Sequence, residues 1–488
     1  MVSEREQAVL GSVPTGLFIG GSWRDASSGA RFDVEDPATG EALTTVADAT
    51  PEDGDAALTA AVAAQQAWAE TPPRTRGEIL RSAFELITER SEDLALLMTL
   101  EMGKSLAESR AEVTYAAEFF RWFSEEAVRV AGRYSVAPTG GSRVLTMKQP
   151  VGPSFFITPW NFPMAMGTRK IGPAVAAGCT MVMKPAAETP LSMLALASIL
   201  AEAGLPDGVL NVIPTTSSGA VSEPIIRDPR LRKLSFTGST QVGRMLIEQS
   251  AQQVLRVSME LGGNAPFLIF DDADLDAAVD GAVVAKTRNI GEACTAANRF
   301  HVQESIADEF ASRLADRLSS LRVGRGTEEG VDIGPLINAK QRDTVETLLG
   351  DAVERGGRVM TGGSRVGDVG YFFQPTVVTD VPAGARILAE EVFGPVAPIT
   401  TFKTDDEALT QANNTEYGLV SYVYTRDLQR ALRICEGLET GMVGLNAGMV
   451  SNVAAPFGGV KASGIGREGG FEGIEEFLET KYVSVSLP

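Results

Sequence analysis

From residue 151 onward, short apolar runs alternate with segments whose apolar positions recur at helical spacing. Runs at 151–158, 180–183, 209–213, 231–236 and 255–259 predict strands, and 164–177, 191–203 and 240–252 predict the helices between them. Strand, helix, strand in that rhythm means a parallel sheet covered by helices. A second series begins at 265–270 and continues through 300–302, 398–402 and 419–424. The expected fold is α/β, with two doubly wound open-sheet domains in tandem, the first Rossmann-like.

Residues 1–130 read as mostly helical after a short strand region at 17–23. Thr50-Pro51 sets a capping residue before a proline at the first helical position, and 105–130 continues with helical spacing. Segments 133–149 and 482–487 alternate like solvent-edged strands and join neither series, which suits pairing between subunits. The division expected is therefore 1–131 with 151–261 for a cofactor-binding domain and 262–461 for a catalytic domain. Residues 132–150 and 478–488 are left as oligomerisation or bridging strands.

Composition narrows the chemistry. The chain has 488 residues, of which 44% are hydrophobic and 22% charged, so it is globular rather than disordered. At about 150 residues per domain it has room for roughly two to four domains. A net charge of −20 argues against nucleic-acid or anionic-membrane partners. It also means that an anionic substrate needs local cations to hold it.

Three cysteines, Cys179, Cys294 and Cys435, are too few for a disulfide framework, and His301 is the only histidine. That supply excludes the usual zinc sites, so no metal is expected, and it disfavours a Ser-His or Cys-His hydrolase. Residues 1–14 carry mixed charges without an apolar core, unlike a signal peptide. The charge-free stretch 149–168 contains Pro150, Pro153, Pro159 and Pro163, a set no lipid-facing helix tolerates. A soluble, cytoplasmic protein is expected.

Two motif matches are rejected. Gly464-Ile-Gly466-Arg-Glu-Gly469 fits a dinucleotide fingerprint but opens no strand–helix–strand unit, so it reads as a glycine-rich loop. Gly103-Lys104-Ser105 resembles the end of a phosphate loop, yet Met98 stands where its first glycine belongs. It reads as a helix break.

Five places retain chemical interest, each beside a plainer reading. Phe236-Thr-Gly-Ser-Thr-Gln-Val-Gly243 follows a strand and leads into a helix, where Gly238, Ser239 and the helix N-terminus could receive a phosphate. A plain strand–turn–helix is the alternative. Lys184 ends a strand at the sheet edge where ligands of open α/β sheets bind; a solvated lysine is its alternative. Cys294 lies in a loop of small residues that gives a substrate room, unlike Cys179 and Cys435, which read as buried hydrophobes. Glu260, at a strand end before Leu261-Gly262-Gly263, is either solvated or a general base raised by burial. Asn161, within Pro159-Trp160-Asn161-Phe162-Pro163, is either a turn cap or an oxyanion donor. Together a thiol, an amide, a carboxylate and a dinucleotide edge suit oxidation of an aldehyde through a thioester.

These residues resemble the aldehyde dehydrogenase superfamily over essentially the whole chain. The matching pieces are Thr158-Pro-Trp-Asn-Phe-Pro163, Phe236-Thr-Gly-Ser-Thr240, Glu260-Leu-Gly-Gly263, the Cys294 segment, Glu391-Val-Phe-Gly-Pro395 and Pro456-Phe-Gly-Gly-Val-Lys461. The resemblance implies Cys294 as nucleophile, Asn161 with the Cys294 N–H as oxyanion hole, and Glu260 as base for the deacylating water. It implies Lys184 and Glu391 on the cofactor's ribose hydroxyls, and Pro159, Trp160, Ala187, Gly219, Gly238, Ser239, Val242, Leu261 and Phe393 along its site. A homodimer or homotetramer is implied as well.

Within the superfamily the chain is most similar to the branch that oxidises succinate semialdehyde, through Arg169, Arg288 and Ser451, which there hold the substrate's distal carboxylate. Arginine suits that task, since a guanidinium pairs bidentately with carboxylate. Their plainer readings are a helix-surface charge for Arg169 and a pair with Glu292 for Arg288. The expected substrate is a small anionic aldehyde, with glutarate semialdehyde or a broader range as the alternative. Two departures matter. Ala296 stands where several relatives carry a second cysteine, so a disulfide switch with Cys294 is not expected. Ala187 stands where NAD-preferring relatives carry a glutamate for the ribose 2′-hydroxyl, so NADP is the expected cofactor, with NAD the alternative.

Overall fold

In the computed structural model, residues 3–486 are described. Leu487, at the end of an expected strand, lies outside them, as do Met1, Val2 and Pro488. The five runs of the first series form adjacent parallel strands in the order Arg256–Glu260, Lys233–Thr237, Ser154–Ile157, Met181–Lys184, Leu210–Val212. Antiparallel strands extend both edges: Gly464–Ile465 beside Arg256–Glu260, and Leu17–Ile19 with Ser22–Arg24 beyond Leu210–Val212. Chain order runs outward one way from Ser154–Ile157 and then the other way through Lys233–Thr237. A crevice therefore opens between those two strands at their carboxyl ends, the place where open α/β sheets bind ligands.

The second series forms a seven-stranded sheet whose central members are Val396–Phe402, Ala297–Gln303, Ala265–Ile269 and Val420–Tyr424, all parallel. The segments Arg133–Val136, Ser142–Pro150 and Leu478–Ser486 pair antiparallel into a separate three-stranded sheet. One feature departs from the expected helical start: Arg31–Asp36 and Glu41–Ala47 form a two-stranded hairpin. Its burial alternates irregularly, and its polar outer face hides the strand period.

Helix ends follow the expected chemistry where caps are local. Thr50 caps Pro51–Glu70 in a reciprocal capping box with Asp53, and Ser105 caps Leu106–Glu126. Two buried helices lack a local cap and borrow one. The Glu112 carboxylate accepts the N–H groups of Met164 and Ala165 at 3.1 Å each, at the start of Ala165–Ala177. Glu101 accepts those of Leu191 and Ser192 at 2.7 and 2.8 Å, at the start of Leu191–Glu202. Orphan N–H groups at a helix start demand an acceptor when water is excluded. Among the described residues no helix is long and apolar enough to cross a membrane.

Candidate active site

A cavity of about 300 Å³ opens at the crevice of the first sheet. Pro159, Trp160 and Asn161 follow strand Ser154–Ile157, Gly238 and Ser239 follow Lys233–Thr237, and Glu260, Leu261 and Gly262 end and follow Arg256–Glu260; all line it. The opposite wall belongs to the second sheet and its loops: Cys294, Gln341, Thr344, Glu391 and Phe393. Trp160 and Phe393 meet edge to face across it, ring centroids 5.4 Å apart. Gln341 and Thr344 carry no signal in the sequence, because they are polar residues on an ordinary amphipathic helix. Gln341 reaches the site by donating to the Phe393 carbonyl at 2.7 Å.

Cys294 precedes strand Ala297–Gln303 in a loop of unusual backbone. Asn289, Ile290 and Gly291 are consecutively left-handed, with φ of 54°, 63° and 79°. Such a conformation is rare for a β-branched residue and persists only where surroundings enforce it. Here buried carboxylates do so. Glu108 accepts the Asn289 N–H, and the Glu292 carboxylate accepts the Ile337 N–H at 3.1 Å. Burial pushes Glu108 up to about 7 and raises Glu292 well above the usual carboxylate range. Gly263 is required opposite the loop, since a Cβ there would stand 2.6 Å from the Cys294 carbonyl oxygen.

Burial pushes the Cys294 thiol up to about 12, Arg169 and Arg288 pulling it down while Glu391 and Glu260 push it up. The sulfur rests as a protonated thiol and needs a base or an added positive charge to become a thiolate. Burial, then the neighbouring Glu468, raises Glu260 well above its ordinary value, with Arg169, Lys170 and Arg467 opposing. One Glu260 oxygen is sealed from solvent without a partner. A carboxylate in that condition is a strong base once ionised.

The Asn161 side-chain amide donates to the Glu292 carbonyl at 2.9 Å, which fixes its orientation and leaves its second N–H proton unassigned. Its backbone carbonyl accepts from the buried Lys104 ammonium at 2.8 Å. The Gly103–Ser105 segment is thus a helix break, as expected, and its lysine supports the Asn161 turn.

Residues expected along a dinucleotide divide into two groups. Pro159, Trp160, Gly238, Ser239, Leu261, Glu391 and Phe393 line the cavity; Lys184, Ala187, Gly219 and Val242 lie outside its walls. Lys184 is buried at its strand end, 3.2 Å from the Ser218 hydroxyl and in no ion pair among the described residues. Burial lowers it to about 8. Gly219 follows Ser218 in open space, Ala187 is half-buried, and Val242 is exposed while its N–H donates to Ser239 Oγ. Glu391 accepts the Gly263 N–H at 3.3 Å and is pushed up to about 7 by burial. A nicotinamide dinucleotide fits these residues. The Thr237 hydroxyl beside the crevice is sealed and unpartnered, the helix Thr240–Ser250 begins just after it, and Lys184 offers a buried cation with Glu188 as its nearest opposing charge.

Of the three residues expected at a distal carboxylate, Arg169 is buried and Arg288 and Ser451 are half-buried. Arg288 Nη1 donates to Ser451 Oγ at 2.9 Å, and its guanidinium stacks on Phe162 at 5.0 Å. It makes no pair with Glu292. Arg169 is only 2% exposed, on helix Ala165–Ala177, so it is no surface charge. It stacks on Phe457 at 4.0 Å, and its Nε lies 2.9 Å from Glu468 Oε2. Glu468, from the rejected glycine-rich motif, is a neighbour that no local pattern points to.

Comparison with known proteins places this architecture. The model of the aldehyde dehydrogenase family matches residues 23–483. A succinate-semialdehyde dehydrogenase of Paenarthrobacter nicotinovorans is 59% identical over 446 residues, covering 91% of this chain and 99% of the relative. A glutarate-semialdehyde dehydrogenase of Pseudomonas putida is 49% identical, covering 96% and 97%. Among solved structures, an NADP-dependent enzyme of E. coli superposes with a TM-score of 0.96 at 50% identity, covering 97% and 98%.

Proposed function

Since this chain belongs to the aldehyde dehydrogenase family, we propose that it oxidises succinate semialdehyde to succinate with NADP, or NAD, as oxidant. The observation that carries the reading is one cavity lined by Cys294, Asn161 and Glu260, flanked by the buried Arg169 and by Arg288 bonded to Ser451.

The steps follow from the groups present. Cys294 sulfur attacks the aldehyde carbon after its proton leaves toward Glu260, forming a thiohemiacetal. The developing oxyanion accepts from the free Asn161 N–H and the Cys294 backbone N–H, donors already fixed before reaction. A bound nicotinamide cofactor supplies the acceptor for the hydride that leaves the tetrahedral carbon, so that a thioester remains on Cys294. Glu260 passes the thiol proton on to solvent and then takes a proton from water; hydroxide adds to the thioester carbonyl, and as the acid departs the proton held by Glu260 returns to the Cys294 sulfur, restoring the thiol. Lys184, Glu391, Ser239 and the start of Thr240–Ser250 would hold the dinucleotide, with Trp160 and Phe393 beside it. Ala187 leaves the ribose 2′-position without a repelling carboxylate, which supports NADP. The two open-sheet units serve as cofactor-binding domain (1–131 with 151–261) and catalytic domain (262–461). The three-stranded sheet, with exposed Tyr134, Val136 and Tyr482, supports subunit pairing in a soluble, cytoplasmic dimer or tetramer.

An arginine clamp favours an ω-carboxylate aldehyde, because a charge-assisted contact contributes about 1.5–3 kcal/mol. Steady-state turnover of succinate semialdehyde and butanal in wild type and Arg288→Gln tests this. The variant should lose roughly tenfold or more of its preference for the anion. Equal preference in both proteins would overturn the substrate assignment, and a stronger response to glutarate semialdehyde would move it to that homologue.

A further inference from the structure

Helix Leu106–Glu126 carries Tyr115, whose ring meets Phe119 edge to face with centroids 4.9 Å apart. That packing fixes where the phenol points. Its hydroxyl is sealed from solvent and has no hydrogen-bond partner. The groups that face it are Arg169, Arg288, Glu468 and Ser451, brought from separate segments of the chain. Arg169 Nη2 is in the same condition, buried and unpartnered, although Nε of the same guanidinium lies against Glu468. Arg288 has satisfied only part of its donor fork, through Ser451. Burial raises the phenol above its ordinary value, so it carries its proton at neutral pH and acts as a donor.

Buried donors without acceptors are rare, and each calls for something that completes it. Here two such donors come from different helices and converge beside an arginine–serine pair. A carboxylate offers about four lone-pair positions, enough for two guanidinium groups, a serine and a phenol. We propose that Tyr115 Oη is a further ligand of the substrate's distal carboxylate, closing with Arg169, Arg288 and Ser451 a cradle specific for an anionic aldehyde. This rests on the substrate reading given above and adds a specificity-determining residue to it. The cradle discriminates in two ways. A carboxylate gains the contacts, and an uncharged aldehyde leaves the buried donors unpaired, the situation in which a site rejects an analogue most strongly.

Tyr115→Phe removes the hydroxyl and keeps the ring on Phe119, so it isolates the contact. The ratio of kcat/KM for succinate semialdehyde to that for butanal should fall about tenfold or more, carried by KM for the semialdehyde rather than kcat. Arg288→Gln is measured beside it. If Arg288→Gln lowers the ratio and Tyr115→Phe does not, Tyr115 is no ligand while the substrate reading stands. If neither lowers it, the substrate reading fails and the cradle with it. A loss that is equal for both aldehydes, or that accompanies a lower melting temperature, assigns Tyr115 to packing and overturns the proposal.

Discussion

The wall built on the first sheet consists of turns at the carboxyl ends of neighbouring parallel strands: Pro159–Asn161, Gly238–Ser239 and Leu261–Gly262. The wall built on the second sheet places Cys294 ahead of its strand, at the amino end, in a loop forced through Asn289, Ile290 and Gly291. In the first, each residue's position follows from the strand it ends. In the second, position is imposed from a distance, by Glu108 on one helix, by Glu292 against Ile337, and by Gly263 across the gap. The first arrangement is the ordinary ligand crevice of an open sheet. The second stores backbone strain and buried charge at the place where covalent chemistry is proposed, and the rest of the fold stabilises it. The strand-end residues and the nucleophile are thus held by different devices, one local and one remote, and mutation can address them separately.

The sharpest separation is expected from Cys294→Ala, which should abolish cofactor reduction, by about 10⁴-fold or more. Titration calorimetry should show dinucleotide affinity intact; turnover near wild type would remove the sulfur from the mechanism. Asn161 crosses between walls, being held by a carbonyl of the second while rooted in the first. Asn161→Ala should lower kcat by about 10²–10³-fold without changing cofactor affinity, and stopped-flow absorbance of the reduced cofactor measures it. Ala187→Glu lies outside both walls, three residues beyond the strand-end Lys184 of the first sheet. It should raise KM for NADP about tenfold relative to NAD by placing a carboxylate near the 2′-phosphate, and an unchanged ratio would detach Ala187 from cofactor choice.

The smallest expected effect concerns the support of the second wall. Glu108 is pushed up to about 7 by burial, against an ordinary value near 4.5. Below about pH 4.5 it is protonated folded or unfolded; above about 7 the folded protein must bury its charge. Its contribution to stability is therefore present at low pH and lost as pH rises through about 7. Glu108→Gln should melt progressively higher relative to wild type between pH 5 and 8, a difference that scanning calorimetry resolves. A pH-independent difference would mean that Glu108 does not titrate in that range.

How much of this was legible varies with how local the cause is. Thr50-Pro51 and Ser105 announce helix starts because a cap and its N–H groups lie within one turn. The strands announce themselves because both faces are covered and the runs stay apolar. Glu260, Asn161 and Lys184 stand at strand ends, so their placement at a sheet edge follows from the same pattern. The hairpin of Arg31–Asp36 and Glu41–Ala47 escapes because its exposed faces blur the alternation. Tyr115 and Glu108, on one amphipathic helix, look like any half-buried helix residues.

The sequence by itself determined the two sheet series, the strand-end residues and the family, since hydrophobic period and short motifs act over a few residues. Tertiary structure alone decided which charges are buried together. Lys104 under Asn161, Glu112 at a helix start, Glu468 against Arg169 and the strained turn before Cys294 each join segments remote in sequence. Burying an ion requires a partner in space, and no local pattern records which partner the fold supplies.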